Sequence, residues 1–172
     1  MAKKKGLNLG LILCGAAALL GLVAFFMLFA TNLVSNVLDV ETQYSGLETV
    51  FGAEHTSVVL GKEVKTQVFN FSFLSFLPYL LAIIGVAFAV LGALGKLGKI
   101  APIASAACFV VAAILFFIAV PTCVLNLPEK TTAEQISKAK EVYSLGAGVI
   151  VAGVLSIIAA LASGATLVLN KK

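Results

Sequence analysis

Long apolar stretches alternate with short polar segments along the chain. Four stretches carry no charged residue: 33 residues between Lys5 and Asp39, 30 between Lys65 and Lys96, 29 between Lys99 and Glu129, and 29 between Glu141 and Lys171. Because about 20 apolar residues cross a bilayer as an α-helix, each stretch holds one span and none is long enough for two. The pattern predicts an all-α membrane protein, a single-domain bundle of four transmembrane helices at about Leu7–Asn32, Phe73–Leu94, Ile100–Val120 and Val142–Leu167.

Composition agrees with this prediction. Hydrophobic residues make up 60% of the 172 residues, charged residues make up 12%, and the mean hydropathy is +1.09. Soluble domains carry about 25% charged residues. A soluble bundle of buried helices is the alternative, but its helices would each need a charged face, and none of the four stretches has one.

The lysines are distributed unequally between the two sides of the predicted bundle. Seven lie before the first span, between the second and third spans, or at the end of the chain: Lys3, Lys4, Lys5, Lys96, Lys99, Lys171 and Lys172. All eight acidic residues and the other five lysines fall in the two remaining loops, about 35–72 and 122–141. Because positively charged loops stay in the cytoplasm, both termini are predicted to be cytoplasmic in a cell membrane. The use of lysine without arginine favours a bacterium with an AT-rich genome.

The first extracytoplasmic loop predicts a β-hairpin in which residues 57–60 and 63–71 are strands and Gly61-Lys62 is a tight turn. Phe69 and Phe71 are two residues apart, so they share one face of the second strand. They rest on the membrane interface and helix ends, or they form an exposed apolar patch that binds a partner. Gly61, Lys62, Phe69 and Phe71 are therefore the candidate partner-binding residues.

The second extracytoplasmic loop predicts a short helix. Pro121 and Pro128 end the third helix. Thr131-Thr132-Ala133-Glu134 fits a capping box with Thr131 as the N-cap and Glu134 at the third helical position. Residues 133–143 contain neither Pro nor Gly, so we expect the fourth helix to begin outside the membrane and to enter it without a break.

Small residues recur every four positions in the fourth span. They are Gly148, Ala152, Ser156, Ala160 and Gly164. Helices in lipid associate by close backbone approach, which small side chains permit. These five residues are therefore predicted to be helix-packing positions. The spacing favours a neighbouring helix of the same chain, and a helix of another chain is the alternative.

The sequence does not indicate an enzyme. No predicted span contains Asp, Glu, Lys, Arg or His. Ion-coupled transporters and proton relays usually have such ionisable residues inside their spans. Phosphate-binding, nucleophile-elbow and zinc-protease motifs are absent from the sequence. We expect no catalytic, cofactor-binding or metal-binding residues. The net charge of +4 follows from the topology and does not predict nucleic-acid binding.

The arrangement of four spans, a larger β-containing first loop and a helical second loop resembles the claudin-type tetraspan layout. The claudin W-G-L-W motif and first-loop cysteine pair are absent, since the chain has no Trp and its three cysteines are Cys14, Cys108 and Cys123. The uncharged spans and the two structured loops favour a structural, scaffold or accessory protein that binds partners through its outer loops. Its expected partners are membrane lipids, another membrane protein or a second copy of itself. The alternative is an oligomeric channel or solute-permeation subunit.

Overall fold

The computed structural model describes residues 9–37, 40–59 and 62–169. Its four long helices are α1 (Leu9–Phe26), α3 (Phe73–Ala93), α4 (Ile100–Phe117) and α7 (Ala147–Leu169). By length and composition each can cross a membrane, α1 together with the short 3-10 helix Met27–Phe29 that follows it. This finding supports the predicted multi-pass membrane protein.

The four helices form a closed ring in which α1 and α4 each pack against both α3 and α7. Phe109 of α4 lies fully buried at the centre of one cluster, among the small side chains of Ala17, Ala89, Ala159 and Ala160. Gly21 and Gly85 make room for its ring. A Cβ at Gly85 would lie 2.9 Å from the Phe109 ring, and one at Gly21 would lie closer still. Small residues thus let the helix backbones approach one another around a single large side chain.

The predicted bounds agree with helix α3 to within one residue, and for the other three long helices they are wrong at the ends that adjoin residues 31–72 and 119–146. The first helix stops at Phe26 instead of Asn32. In the third, the chain bends after Phe117, and a short helix α5 (Ala119–Thr122) follows. The fourth long helix starts at Ala147 rather than at Val142. Leu7, the predicted start of the first span, lies outside the described residues.

In the described part of the chain, six antiparallel strands form two small sheets beside these helix ends. The strands are β1 (Thr31–Val37), β2 (Val40–Ser45), β3 (Ala53–Val59), β4 (Lys62–Asn70), β5 (Val124–Leu125) and β6 (Tyr143–Leu145). The strand orders are β2-β1-β6 and β3-β4-β5. Each sheet takes two strands from the first loop and one from the second, so the loops form one unit, the head (the described residues between 31 and 72 and between 119 and 146). The predicted hairpin is present as β3 and β4.

The predicted unbroken fourth helix is wrong. Helix α6 (Ala133–Lys140) is capped one residue later than expected: the Gln135 N–H donates to Thr132 Oγ1 (3.4 Å), and the Thr132 N–H donates to Gln135 Oε1 (2.9 Å). After α6 the chain becomes extended and pairs with β1 as β6. Gly146 directly follows this strand, and a Cβ at this position would lie 2.5 Å from the Thr31 carbonyl oxygen. Strand pairing in the head therefore separates α6 from α7.

Candidate functional site

Each sheet of the head contains one β-bulge. In the first sheet Thr31 pairs with Ser45 and Leu33 pairs with Tyr44, so Asn32 is the extra residue. In the second sheet Ala53 pairs with Phe69 and Glu54 pairs with Gln67, which leaves Val68 as the extra residue. A bulge changes the direction in which the following side chains point. The bulges at Asn32 and Val68 therefore determine which side chains face the space between the sheets and which face the bundle.

The bulge at Val68 turns Phe69 into the core. Phe69 is fully buried, and its ring packs edge-on against Tyr44 (centroids 5.0 Å apart) and tilted against Tyr143 (5.5 Å). Phe71 lies beyond the end of β4 and is 56% exposed. Phe69 and Phe71 therefore do not share one face of the strand, and the alternative in which both form an exposed apolar patch does not fit the burial of Phe69. Phe69 joins the two sheets and is not available at the surface.

An open cavity of about 410 Å³ lies between the sheets, next to this aromatic contact. Its described lining residues are Ser35, Val40, Thr42, Tyr44, Thr66, Val68 and Tyr143. Ser35 on β1 pairs with Thr42 on β2 and with Tyr143 on β6, so these three residues form a row across the first sheet. Thr66 and Val68 of β4 form the opposite wall. We call this cavity the inter-sheet cleft.

The walls of the inter-sheet cleft are polar and uncharged where the structure describes them. Five of the seven lining side chains carry a hydroxyl group, and none of these hydroxyls is hydrogen-bonded to another described residue. Burial, and to a lesser extent the neighbouring Tyr44 and Cys123, raise the pKa of Tyr143 to about 12. Its phenol therefore stays protonated at neutral pH. Each hydroxyl can donate one hydrogen bond and accept others, which suits an uncharged polar ligand.

The bulge at Asn32 turns this side chain towards the bundle. Asn32 is 3% exposed, and its amide nitrogen donates to Thr49 Oγ1 at 2.6 Å. The Thr49 hydroxyl donates to the Gly46 carbonyl at 3.0 Å, and the Tyr79 hydroxyl on α3 donates to Asn32 Oδ1 at 3.3 Å. Gly46 begins a short helix, α2 (Gly46–Phe51), and a Cβ there would lie 2.7 Å from Tyr79 Oη. This buried network connects β1, α2 and α3 and holds the head on the bundle.

A second set of polar contacts joins the two loops. The Ser72 hydroxyl donates to the Thr122 carbonyl at 2.8 Å. The Asn126 amide donates to the Gln67 carbonyl at 3.2 Å. Because these bonds cross between segments far apart in sequence, they fix the second sheet relative to the ends of α3 and α4.

Four of the five small residues in the predicted ladder of α7 are buried within this chain. A Cβ at Gly148 would lie 2.7 Å from the Thr31 carbonyl oxygen, while Ala152 and Ser156 are fully buried and Ala160 is 8% exposed. The Ser156 hydroxyl donates to the Ala152 carbonyl at 2.8 Å, so it needs no partner on another helix. Gly164 is different, since a Cβ there would meet no atom within 4 Å.

None of the residues that line the inter-sheet cleft is among the binding residues predicted from the sequence. One signal was available: Val40, Thr42 and Tyr44 alternate with polar residues, as a half-buried strand does. Nothing local indicates that Ser35 pairs with Tyr143, because more than a hundred residues separate them. Of the predicted turn residues, Gly61 lies outside the described residues, and Lys62 is the first residue of β4.

In the part of the chain that the structure describes, no group of three His, Cys, Asp or Glu side chains is arranged to hold a metal ion. Comparison of the chain with protein-family models, with curated proteins and with solved structures gave no match, so no relative supplies a function.

Proposed function

We propose that the protein is a membrane-anchored binding protein. The four-helix bundle lies in the cell membrane and carries the head outside, where the inter-sheet cleft binds an uncharged polar ligand or an uncharged polar segment of a partner protein. The observation that carries this proposal is the set of five hydroxyl groups that line a cavity of about 410 Å³ without a described hydrogen-bond partner or charge.

The size and position of the cleft support binding. Cavities of about 300–1,000 Å³ are typical of ligand sites. Binding residues also concentrate on loops that a rigid scaffold holds in place. Here the walls come from both loops, and the buried Asn32 network fixes one of them to the bundle. The described walls contain no carboxylate, imidazole or thiol, so they offer groups for recognition and none for acid–base or nucleophilic chemistry.

The charge distribution supports the orientation. The head belongs to the two loops that contain all eight acidic residues, and their net charge is negative. Seven lysines without acidic neighbours lie at the other end of the spans, which is the cytoplasmic pattern. The proposal therefore directs the inter-sheet cleft away from the cytoplasm.

The hydrogen bonding inside the bundle favours binding over permeation through a single copy. Ser105 and Ser163 are buried between the helices, with their hydroxyl oxygens 3.0 Å apart, and the Ser105 hydroxyl donates to the Gly85 carbonyl at 2.9 Å. These polar groups satisfy one another in the closed bundle. A path through one bundle would need such groups to face water, so the channel alternative needs a path shared between several copies. Flux of a neutral solute through purified protein in liposomes would favour the channel alternative.

Blocking the cleft tests the proposal. Thr42→Arg places a long charged side chain between the sheets, whereas Gln43→Arg adds the same charge at the next, exposed residue of β2. Wild type and both variants are purified from their native membranes in mild detergent, and retained molecules are identified by native mass spectrometry and cross-linking. We expect a molecule retained by wild type and Gln43→Arg to be lost from Thr42→Arg. Equal retention by all three proteins would contradict the proposal.

A further inference from the structure

Several exposed phenylalanine side chains lie in or near the segments that connect the bundle to the head. Five of them are more than half exposed: Phe26 (53%), Phe29 (62%), Phe51 (56%), Phe71 (56%) and Phe73 (58%). Phe26, Phe29 and Phe73 lie at the ends of predicted spans, where exposure to lipid is expected. Phe51 is different, because it belongs to α2, in the middle of the first loop.

The fold brings Phe51 to the start of α3. Its ring centroid lies 6.1 Å from that of Phe71 and 5.9 Å from that of Phe76. Helix α3 has 21 residues, which corresponds to a length of about 30 Å at 1.5 Å per residue. This length equals the thickness of the hydrocarbon core of a bilayer. Phe51 is therefore held beside the first turn of α3, where that core meets the head-group region.

The rest of α2 is fixed in place. Gly46, Thr49 and Val50 of this six-residue helix are buried, and Glu48 closes a capping box with Ser45 at its N-terminus. Phe51, the last residue of α2, is thus exposed at the end of an element that cannot easily turn it inward. Leaving so large an apolar ring in water is unfavourable, by about 25 cal/mol for each Å² of apolar surface.

We infer that α2 is a membrane-surface element and that Phe51 and Phe71 insert together into the leaflet on the head side of the bilayer. Lipid is the partner that fits, because this pair continues the exposed apolar surface of α3, where Phe73 and Leu74 are 58% and 47% exposed. An exposed apolar patch next to a span is covered by the same lipid that covers the span. The contact holds the head against the bilayer and does not depend on what the inter-sheet cleft binds.

The chain has no Trp, so a single introduced Trp reports its own surroundings. Phe51→Trp and Phe71→Trp probe the proposed contact. Ile158→Trp, near the middle of α7 at a 46% exposed position, is the reference for the bilayer centre, and Lys138→Trp, on α6 where the lysine side chain is 70% exposed, is the reference for water. The variants are placed in nanodiscs whose lipids carry bromine at shallow or at deep acyl positions, and quenching of Trp fluorescence is measured.

We expect shallow bromine to quench Phe51→Trp and Phe71→Trp several-fold more than Lys138→Trp, and deep bromine to quench Ile158→Trp most. The inference is overturned if Phe51→Trp responds like Lys138→Trp and is open to aqueous iodide. It is also overturned if neither bromine nor iodide reaches Phe51→Trp, because a protein partner or a second copy then covers it. If Phe51→Trp does not fold, bromine and iodide quenching of Phe71→Trp tests the inference in the same way.

Discussion

Asn32 connects the head to the bundle through buried hydrogen bonds, so its replacement should lower the free energy of unfolding. Asn32→Leu removes the acceptor of the Tyr79 hydroxyl and the amide that donates to Thr49. Thr49 keeps its bond to the Gly46 carbonyl, so it remains satisfied. Tyr79 is 1% exposed, so its hydroxyl has no water to turn to. An unsatisfied buried hydroxyl costs about 1–3 kcal/mol. In a chain of this size that loss corresponds to a fall in Tm of about 2–12 °C.

A double-mutant cycle tests the origin of this loss. Tyr79→Phe removes the stranded hydroxyl, so the double variant should be about 0.5–1.5 kcal/mol more stable than the sum of the two single losses predicts. Thermal unfolding in detergent is followed with a thiol-reactive dye, because Cys14 and Cys123 are buried in the folded protein. Gln43→Leu, an exposed polar-to-apolar change on β2, is the control. Losses that add to within about 0.3 kcal/mol would refute the proposed coupling.

Three further predictions concern other parts of the molecule. Ser156→Leu should destabilise the fully buried face of α7 by about 1–3 kcal/mol through overpacking, while Val154→Leu on the exposed face should not; equal unfolding temperatures would contradict this packing. In a variant without the native cysteines, an impermeant thiol reagent should label a cysteine at position 62 only from outside and one at position 97 only from inside; labelling of both from one side contradicts the topology. The pKa of Tyr143 is raised from 10.0 to about 12, so the folded state favours the neutral phenol, and stability should fall between these pH values less steeply in Tyr143→Phe; identical pH curves would exclude that role.

The long helices were predictable because each span needs about 20 consecutive residues without charge, and such a stretch is visible directly in the sequence. α3 shows this most clearly, since its start at Phe73 was predicted to the residue. The error at the first helix has a local cause. Residues 27–37 carry no charge, so the absence of charge that marks a span does not separate its end from the β-strand that begins at Thr31.

The candidate site was less predictable than the spans because it depends on pairing between distant segments. β6 has three residues, too few to show alternation, and its strand conformation depends on β1. The position of Phe69 depends on one extra residue in β4, Val68, which shifts the phase of every side chain after it. The capping-box pattern fits both adjacent threonines, Thr131 and Thr132, so the sequence alone does not decide that Thr132 is the N-cap.

Because of the strand order, the head can be completed only late in the synthesis of the chain. β1 and β2 leave the ribosome directly after α1, but β6, which pairs with the other edge of β1, is made only just before the last helix. Likewise, β5 follows α4. While the middle of the chain is being inserted, β1 therefore has an unpaired edge, the kind of edge that promotes association with other chains. A nascent chain stopped before residue 143 should be more sensitive to proteases outside the membrane than the finished protein, because the final strand closes the head.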